Sequence, residues 1–145
     1  MRAQDERGVA ALWDRMAVDD LVTGYAAAVD DGDWDEYRAL FAPEGRADYR
    51  SAGGAEGDVE TMVRWLTETL GLFFPTRQHL IVDRHVETDG ATATVRADYY
   101  NPMRSGSAES AAPDFECGGR YAFTARRTEA GWRLTHVVAH EKWRR

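Results

Sequence analysis

Asp20-Leu-Val-Thr-Gly-Tyr25-Ala-Ala-Ala-Val-Asp30-Asp-Gly-Asp-Trp34 holds one helix, its stop and the start of a second helix. With Val18 just upstream, the apolar residues Val18, Leu21, Val22, Tyr25 and Val29 recur at helical spacing and make one stripe. Asp31-Gly32 reads as the stop. Asp33 reads as an N-cap, with Glu36 three residues later completing a capping box. Trp34, Tyr37 and Phe41 then share one face of a short second helix, which Pro43 ends. Beyond it, residues 46–50 read as a short strand and residues 51–57, rich in Gly and Ala, as a flexible loop. Asp58 caps a third helix whose apolar stripe is Val59, Met62, Val63, Leu66 and Leu70; Gly71 and Pro75 punctuate its end.

The second half changes period. Residues 78–87 read as a strand, Thr88-Asp89-Gly90 as a hairpin turn, and residues 91–103 as a long strand fraying at Pro102. Residues 104–113 form a loop of small residues with the length and composition of a mobile lid. Strands follow at 119–127 and 132–143, joined by a turn at 129–131. Three helices followed by an antiparallel meander predict an α+β fold. Alternation on the last strand sets Val137 and Ala139 against Leu134 and Val138. Apolar residues on both faces of such a sheet point to a homodimer packed through it.

The chain has 145 residues and a formal net charge of −7. That length fits one domain spanning 1–145, with 1–12 as an N-terminal extension. Its 43% hydrophobic and 11% aromatic content suits a chain with a packed core rather than a disordered one. Acidic residues outnumber basic ones 25 to 18, and no basic run exceeds a pair. A nucleic-acid surface needs clustered Lys and Arg, so that class is set aside. Cys117 is the sole cysteine, which rules out an internal disulfide and makes the cytoplasm the expected compartment. Residues 1–8 are polar and of mixed charge, unlike a signal peptide. No apolar run approaches the roughly 20 residues of a membrane span.

Several motifs taken in order are similar to a known family. The opening stretch, then Leu40-Phe41-Ala-Pro-Glu44, Gln78-His79-Leu80, Asp89-Gly90-Ala-Thr-Ala93, Tyr100-Asn101-Pro102-Met103 and Gly131-Trp132-Arg133, resembles the SnoaL-like branch of the nuclear-transport-factor-2-like (NTF2-like) superfamily. The resemblance runs through nearly the whole chain. It implies a cone-shaped α+β barrel in which three N-terminal helices pack on a curved antiparallel sheet and enclose an apolar pocket. Relatives include scytalone dehydratase, bile-acid dehydratases, ketosteroid isomerase, limonene-epoxide hydrolase and polyketide cyclases. Other members only bind or dimerise, so the fold alone does not fix the function.

Asp30 lies about 40° around the helix from Ala26. On the residues alone it reads either as a solvated helix-end acid or as a carboxylate on a pocket wall. His79 reads either as a half-buried strand histidine or as that carboxylate's partner, with Ile81, Asp83 and His85 sharing its strand parity. The resemblance favours the paired reading, because dehydratase-like members place an acid and a histidine at these positions. A carboxylate beside an imidazole selects its tautomer and raises its basicity, and the ring then moves protons near neutral pH. Tyr25 is the third catalytic candidate, a phenol able to hold a substrate carbonyl, or simply a core aromatic. Tyr49, Trp65, Tyr99, Asn101 and Met103 are candidates for binding substrate, with Asn101 read alternatively as a strand-end turn residue.

Metal and nucleotide sites find no support. His136 and His140 would stand about 13 Å apart on a strand, and no Gly-rich phosphate fingerprint follows a strand. Cys117 has no evident activating neighbour. The second pocket histidine of scytalone dehydratase has no clear counterpart here. The expectation is a cofactor-free acid–base enzyme acting on a small, largely apolar carbonyl compound of polyketide, terpenoid or steroid type. Dehydration comes first, and isomerisation or cyclisation share its opening step. The alternative is a non-catalytic ligand-binding or dimerisation module of the same fold.

Overall fold

The computed structural model describes residues 2–145. Helix α1 (Arg2–Asp31) is followed by α2 (Trp34–Ala39), strand β1 (Phe41–Asp48), β2 (Glu56–Asp58), α3 (Val59–Glu68) and a single-turn α4 (Leu70–Phe73). The remainder is β3 (Thr76–Arg77), β4 (Leu80–Thr88), β5 (Thr92–Arg104), β6 (Phe115–Thr128) and β7 (Gly131–Arg144). Local chemistry sets the helix boundaries. Gly32 supplies the left-handed turn (φ 66°) that stops α1. The Asp33 carboxylate accepts the Glu36 N–H at 3.1 Å to start α2, and the Asp58 carboxylate accepts the Thr61 N–H at 2.8 Å to start α3. The expected stripe of α1 is its buried face: Val18, Leu21, Val22, Tyr25 and Val29 all lie in the core.

Several boundaries differ from the sequence reading: the strand read at 46–50 is Phe41–Asp48, and the one read at 119–127 is Phe115–Thr128. Residues 2–12, taken as an extension, continue α1 as helix; Met1 lies outside the described residues. Their side chains are exposed from residue 3 onward, so helix propensity rather than burial sets their form. Pro43 does not end α2 but sits inside β1, where the pairing with β7 is irregular between Phe41 and Arg46. A proline tolerates that break because it has no N–H to give to the ladder.

The seven strands form one curved, open sheet in the order β2-β1-β7-β6-β5-β3, with β4 also paired to β5. The sheet is not a closed barrel, and it is antiparallel except for the β1–β7 pair, which is parallel. Helices cover the concave face. The long β5–β6–β7 meander forms the floor, with β5 and β6 in unbroken register from Thr92↔Arg126 to Met103↔Phe115.

Bulges change the inward–outward alternation that the sequence suggests. Thr135 is an extra residue between the pairs Ala125↔Leu134 and Thr124↔His136. The alternation resets there, so Leu134 and Val137 both face the core, against the expectation that they oppose one another. Val138 stays half-buried on the outer face. In β4 one residue is added between Val82↔Asp98 and His85↔Arg96, where Asp83 takes a left-handed φ of 50°. Ile81 and Val86 therefore face inward while His85 is exposed, its ring 3.0 Å from Glu87. Lys142 makes a third bulge, in β7 between Gly119↔Glu141 and Gly118↔Trp143.

Gly119 lies where β6, β7 and the Tyr99 hydroxyl converge. A Cβ there would overlap the His140 carbonyl and stand 2.8 Å from the Tyr99 oxygen. Gly119→Ala should therefore destabilise the fold by about 2 kcal/mol, read as a lower urea midpoint at unchanged slope.

Candidate active site

Asp30 occupies the last turn of α1, and His79 lies in the short link between β3 and β4. The Asp30 carboxylate accepts the His79 backbone N–H with both oxygens at 2.9 Å and contacts ring Nδ1 at 2.6 Å. The carboxylate thus fixes both the ring and its backbone. The His79 side chain is 5% exposed and that of Asp30 18%. An anion at a helix C-terminus is unfavourable, because the helix dipole is negative there. Arg77 offsets this. Its Nε donates to the Val29 carbonyl at 2.8 Å and its Nη1 to the Phe74 carbonyl at 3.0 Å. Burial pulls the Arg77 pKa down, while the nearby Asp30 and Asp31 carboxylates act in the opposite sense.

With Nδ1 held by Asp30, Nε2 has no hydrogen-bond partner among the described residues, and the ring lines a cavity of about 750 Å³. Tyr25, Tyr49, Trp65, Tyr99, Asn101 and Met103 line the same cavity. The structure thus brings together every residue singled out in the sequence, with Asp30 standing behind His79 rather than on the wall itself. Tyr99, Asn101 and Met103 come from alternate positions of β5. Tyr49 follows β1 and packs on Trp65 of α3, ring centroids 5.8 Å apart. Asn101 is 3% exposed and fully within the β5–β6 ladder, so it is not a strand-end turn residue.

A tyrosine cluster forms the inner end. The Tyr25 and Tyr49 hydroxyls are 2.5 Å apart, and Tyr49 is 3.1 Å from the Tyr37 hydroxyl. Tyr121 packs edge-on against Tyr25 at 5.7 Å. Burial pushes the pKa of Tyr25 and Tyr49 far up and that of Tyr37 up to about 12. All three are neutral phenols at physiological pH and so remain donors. Burial also pushes the Cys117 thiol, on the same wall, up to about 11, which leaves it protonated and a poor nucleophile.

Sequence reasoning missed Tyr37, Tyr121 and Arg77. Tyr37 reads only as part of the apolar face of the second helix and Tyr121 carries no mark within its strand; the structure distinguishes the first by its hydroxyl contact with Tyr49 and the second by its packing on Tyr25. Arg77 sits beside a proline-bounded turn with no periodicity to mark it. At the cavity mouth, Leu72 and Phe73 of α4 are exposed opposite Arg144, which pairs with Glu141 at 2.7 Å. Ser105, Gly106 and Ser107 complete the rim. That loop is tied down: the Gly106 N–H donates to the Phe73 carbonyl at 3.3 Å and the Ser105 N–H to Asp114 at 2.7 Å. Among the described residues no three His, Cys, Asp or Glu side chains gather as metal ligands. His136 and His140 are both exposed, away from the cavity. No helix among the described residues is long and apolar enough to cross a membrane.

The open, curved sheet closed over by helices is a fold shared with an NTF2-like superfamily protein from Salmonella enterica, 16% identical with a TM-score of 0.78 over 92% of this chain and 94% of that one. The SnoaL-like domain matches residues 10–138, and the chain belongs to that family. It is 33% identical over 131 residues to the uncharacterised protein Rv2910c of Mycobacterium tuberculosis, covering 90% of this chain and 86% of that protein. Among solved structures it is similar to two from Novosphingobium aromaticivorans. One, named as a candidate aromatic ring hydroxylase, is 25% identical with a TM-score of 0.78 over 91% of each chain. The other, named as a candidate scytalone dehydratase, is 18% identical with a TM-score of 0.81 over 95% of this chain and 90% of that one. This last likeness speaks to the fold alone.

The Asp30 contact makes a spectroscopic prediction. Free imidazole favours its proton on Nε2, but a carboxylate at Nδ1 should hold the neutral His79 ring as the Nδ1–H tautomer. Ring ¹⁵N shifts should report that tautomer in the native protein and a mixture in Asp30→Ala. The same change should cost about 2 kcal/mol of stability through the lost charge-assisted hydrogen bonds.

Proposed function

We propose that this protein is a cofactor-independent acid–base enzyme acting on a small, largely apolar carbonyl compound, with dehydration as its reaction. The observation that carries the reading is the Asp30–His79 pair with Nε2 free at the wall of an aromatic cavity. Nε2 removes a proton α to the substrate carbonyl. Asp30 accepts from Nδ1–H throughout and stabilises the imidazolium that forms. The Tyr25 hydroxyl, neutral and backed by the Tyr49 and Tyr37 hydroxyls, donates to the carbonyl oxygen as it gains enolate charge. The imidazolium then returns its proton to a hydroxyl β to the carbonyl. The C–O bond breaks, a C=C bond forms, and water leaves with the proton that was first removed. Isomerisation or cyclisation begins with the same abstraction. The mostly apolar wall fits a polyketide-, terpenoid- or steroid-like ring system. The candidate scytalone dehydratase among the fold neighbours agrees in reaction type.

Two further parts of the reading concern the surroundings. The loop 104–113, tied to α4 at the rim, acts as the lid, and two copies of the chain pair through the outer face of the sheet. A non-catalytic binding module would keep the cavity and have no use for a free Nε2 braced by a carboxylate.

The test uses two probes. A tetralone in deuterated water should exchange its α protons in the presence of the enzyme. A tetralone with a hydroxyl β to the carbonyl should lose water. His79→Gln and Asp30→Asn should each slow both reactions by about 10²–10⁴-fold, and Tyr25→Phe should slow them with the fold intact. Exchange no faster than buffer, or a product that gains oxygen instead of losing water, would overturn the reading.

A further inference from the structure

Among the described residues, Asn101 Oδ1 is the one fully buried side-chain polar atom without a hydrogen-bond partner. Asn101 faces the cavity between Tyr99 and Met103 and pairs across the ladder with Cys117. It is 3% exposed, and its Oδ1 is buried without a partner. The amide lies beside the Tyr121 hydroxyl and the Cys117 thiol, whose pKa values burial raises. Neither group hydrogen-bonds to Oδ1, which stays unpaired. An unpaired buried acceptor costs stability that an apolar residue of similar shape would not. The tyrosine hydroxyls of this wall are neutral phenols able to donate to a carbonyl; Oδ1 can only accept.

We propose that Asn101 Oδ1 receives a hydroxyl of the bound substrate and is the specificity-determining acceptor of the cavity. This deepens the acid–base reading above and rests on it for the position of the carbonyl. The substrate then carries two separate oxygen functions: a carbonyl, held by the tyrosine hydroxyls, and a free alcohol, phenol or enol, held by Asn101. Donors and acceptor at different places on one apolar wall orient such a molecule in one sense only. A simple ketone fills the same volume but leaves Oδ1 unpaired.

The experiment measures binding by calorimetry with two probes, a naphthol and the fluoronaphthalene of the same substitution. Fluorine resembles the hydroxyl in size but has no proton to give, and the fluoro compound leaves water more readily. The native protein should nevertheless bind the naphthol about fivefold more tightly or better, the value of one hydrogen bond. In Asn101→Leu that preference should vanish or reverse, and the melting temperature should hold or rise. The inference is overturned by equal affinities in the native protein, by failure of the naphthol to bind, or by an Asn101→Leu protein that keeps the preference. The native comparison needs no variant and no turnover. A protein that prefers the naphthol but exchanges no α protons would refute the acid–base reading and leave the Asn101 assignment in place.

Discussion

The contact on which the rest of the site depends is the one between the Asp30 carboxylate and His79. It joins the end of the longest helix to the start of a sheet-edge strand through three hydrogen-bonding contacts, two to the backbone N–H and one to the ring. A carboxylate is suited to this because it accepts along several directions at once. Helix α1 is thereby held over the sheet at the point where the cavity wall begins. Placing an anion at the negative end of a helix is costly, and the Arg77 guanidinium offsets it from the adjoining β3. One small group of charges therefore closes the fold and supplies its chemistry.

The cavity exists because the sheet is not regular. An evenly alternating strand presents every second residue to one face, and such a sheet over helices would be filled by side chains. Here the bulges at Thr135, Lys142 and Asp83 bend the strands and reset which residues point inward. Gly119 removes a side chain where two strands and the Tyr99 hydroxyl meet. The space left between the curved floor and the helices is lined by a mostly apolar wall rich in aromatic rings.

Local signals made much of this legible. The helix stripe from Val18 to Val29, the caps at Asp33 and Asp58 and the turns at Gly90 and Gly131 depend on neighbouring residues, and the elements formed where those residues put them. The Asp30–His79 pair lies 49 positions apart in the chain. No periodicity joins two residues that far apart; family resemblance did. What stayed hidden had non-local causes. Strand parity in β4 and β7 fails at bulges, which depend on the partner strand. That is why Leu134 was assigned to the wrong face and His85 to the face of Ile81. The parallel β1–β7 pairing sets the first strand of the chain against its last, which no local pattern announces. Arg77 and Tyr121 matter through what they meet, and composition does not record meetings.

The hydroxyls of Tyr37, Tyr49 and Tyr25 carry three protons between them and have two contacts to fill. Each contact consumes one proton, so a single proton is left over, and where it sits depends on the direction in which the row is strung. A ligand oxygen that accepts from Tyr25 draws the whole row into one polarity, with Tyr37 giving to Tyr49 and Tyr49 to Tyr25. Bonds aligned head to tail in this way strengthen one another. The row then behaves as one donor with the strength of several, and it serves one oxygen at a time. Reversing it requires all three hydroxyls to rotate together, with no heavy atom moving. The most responsive part of this rigid wall is thus its protons.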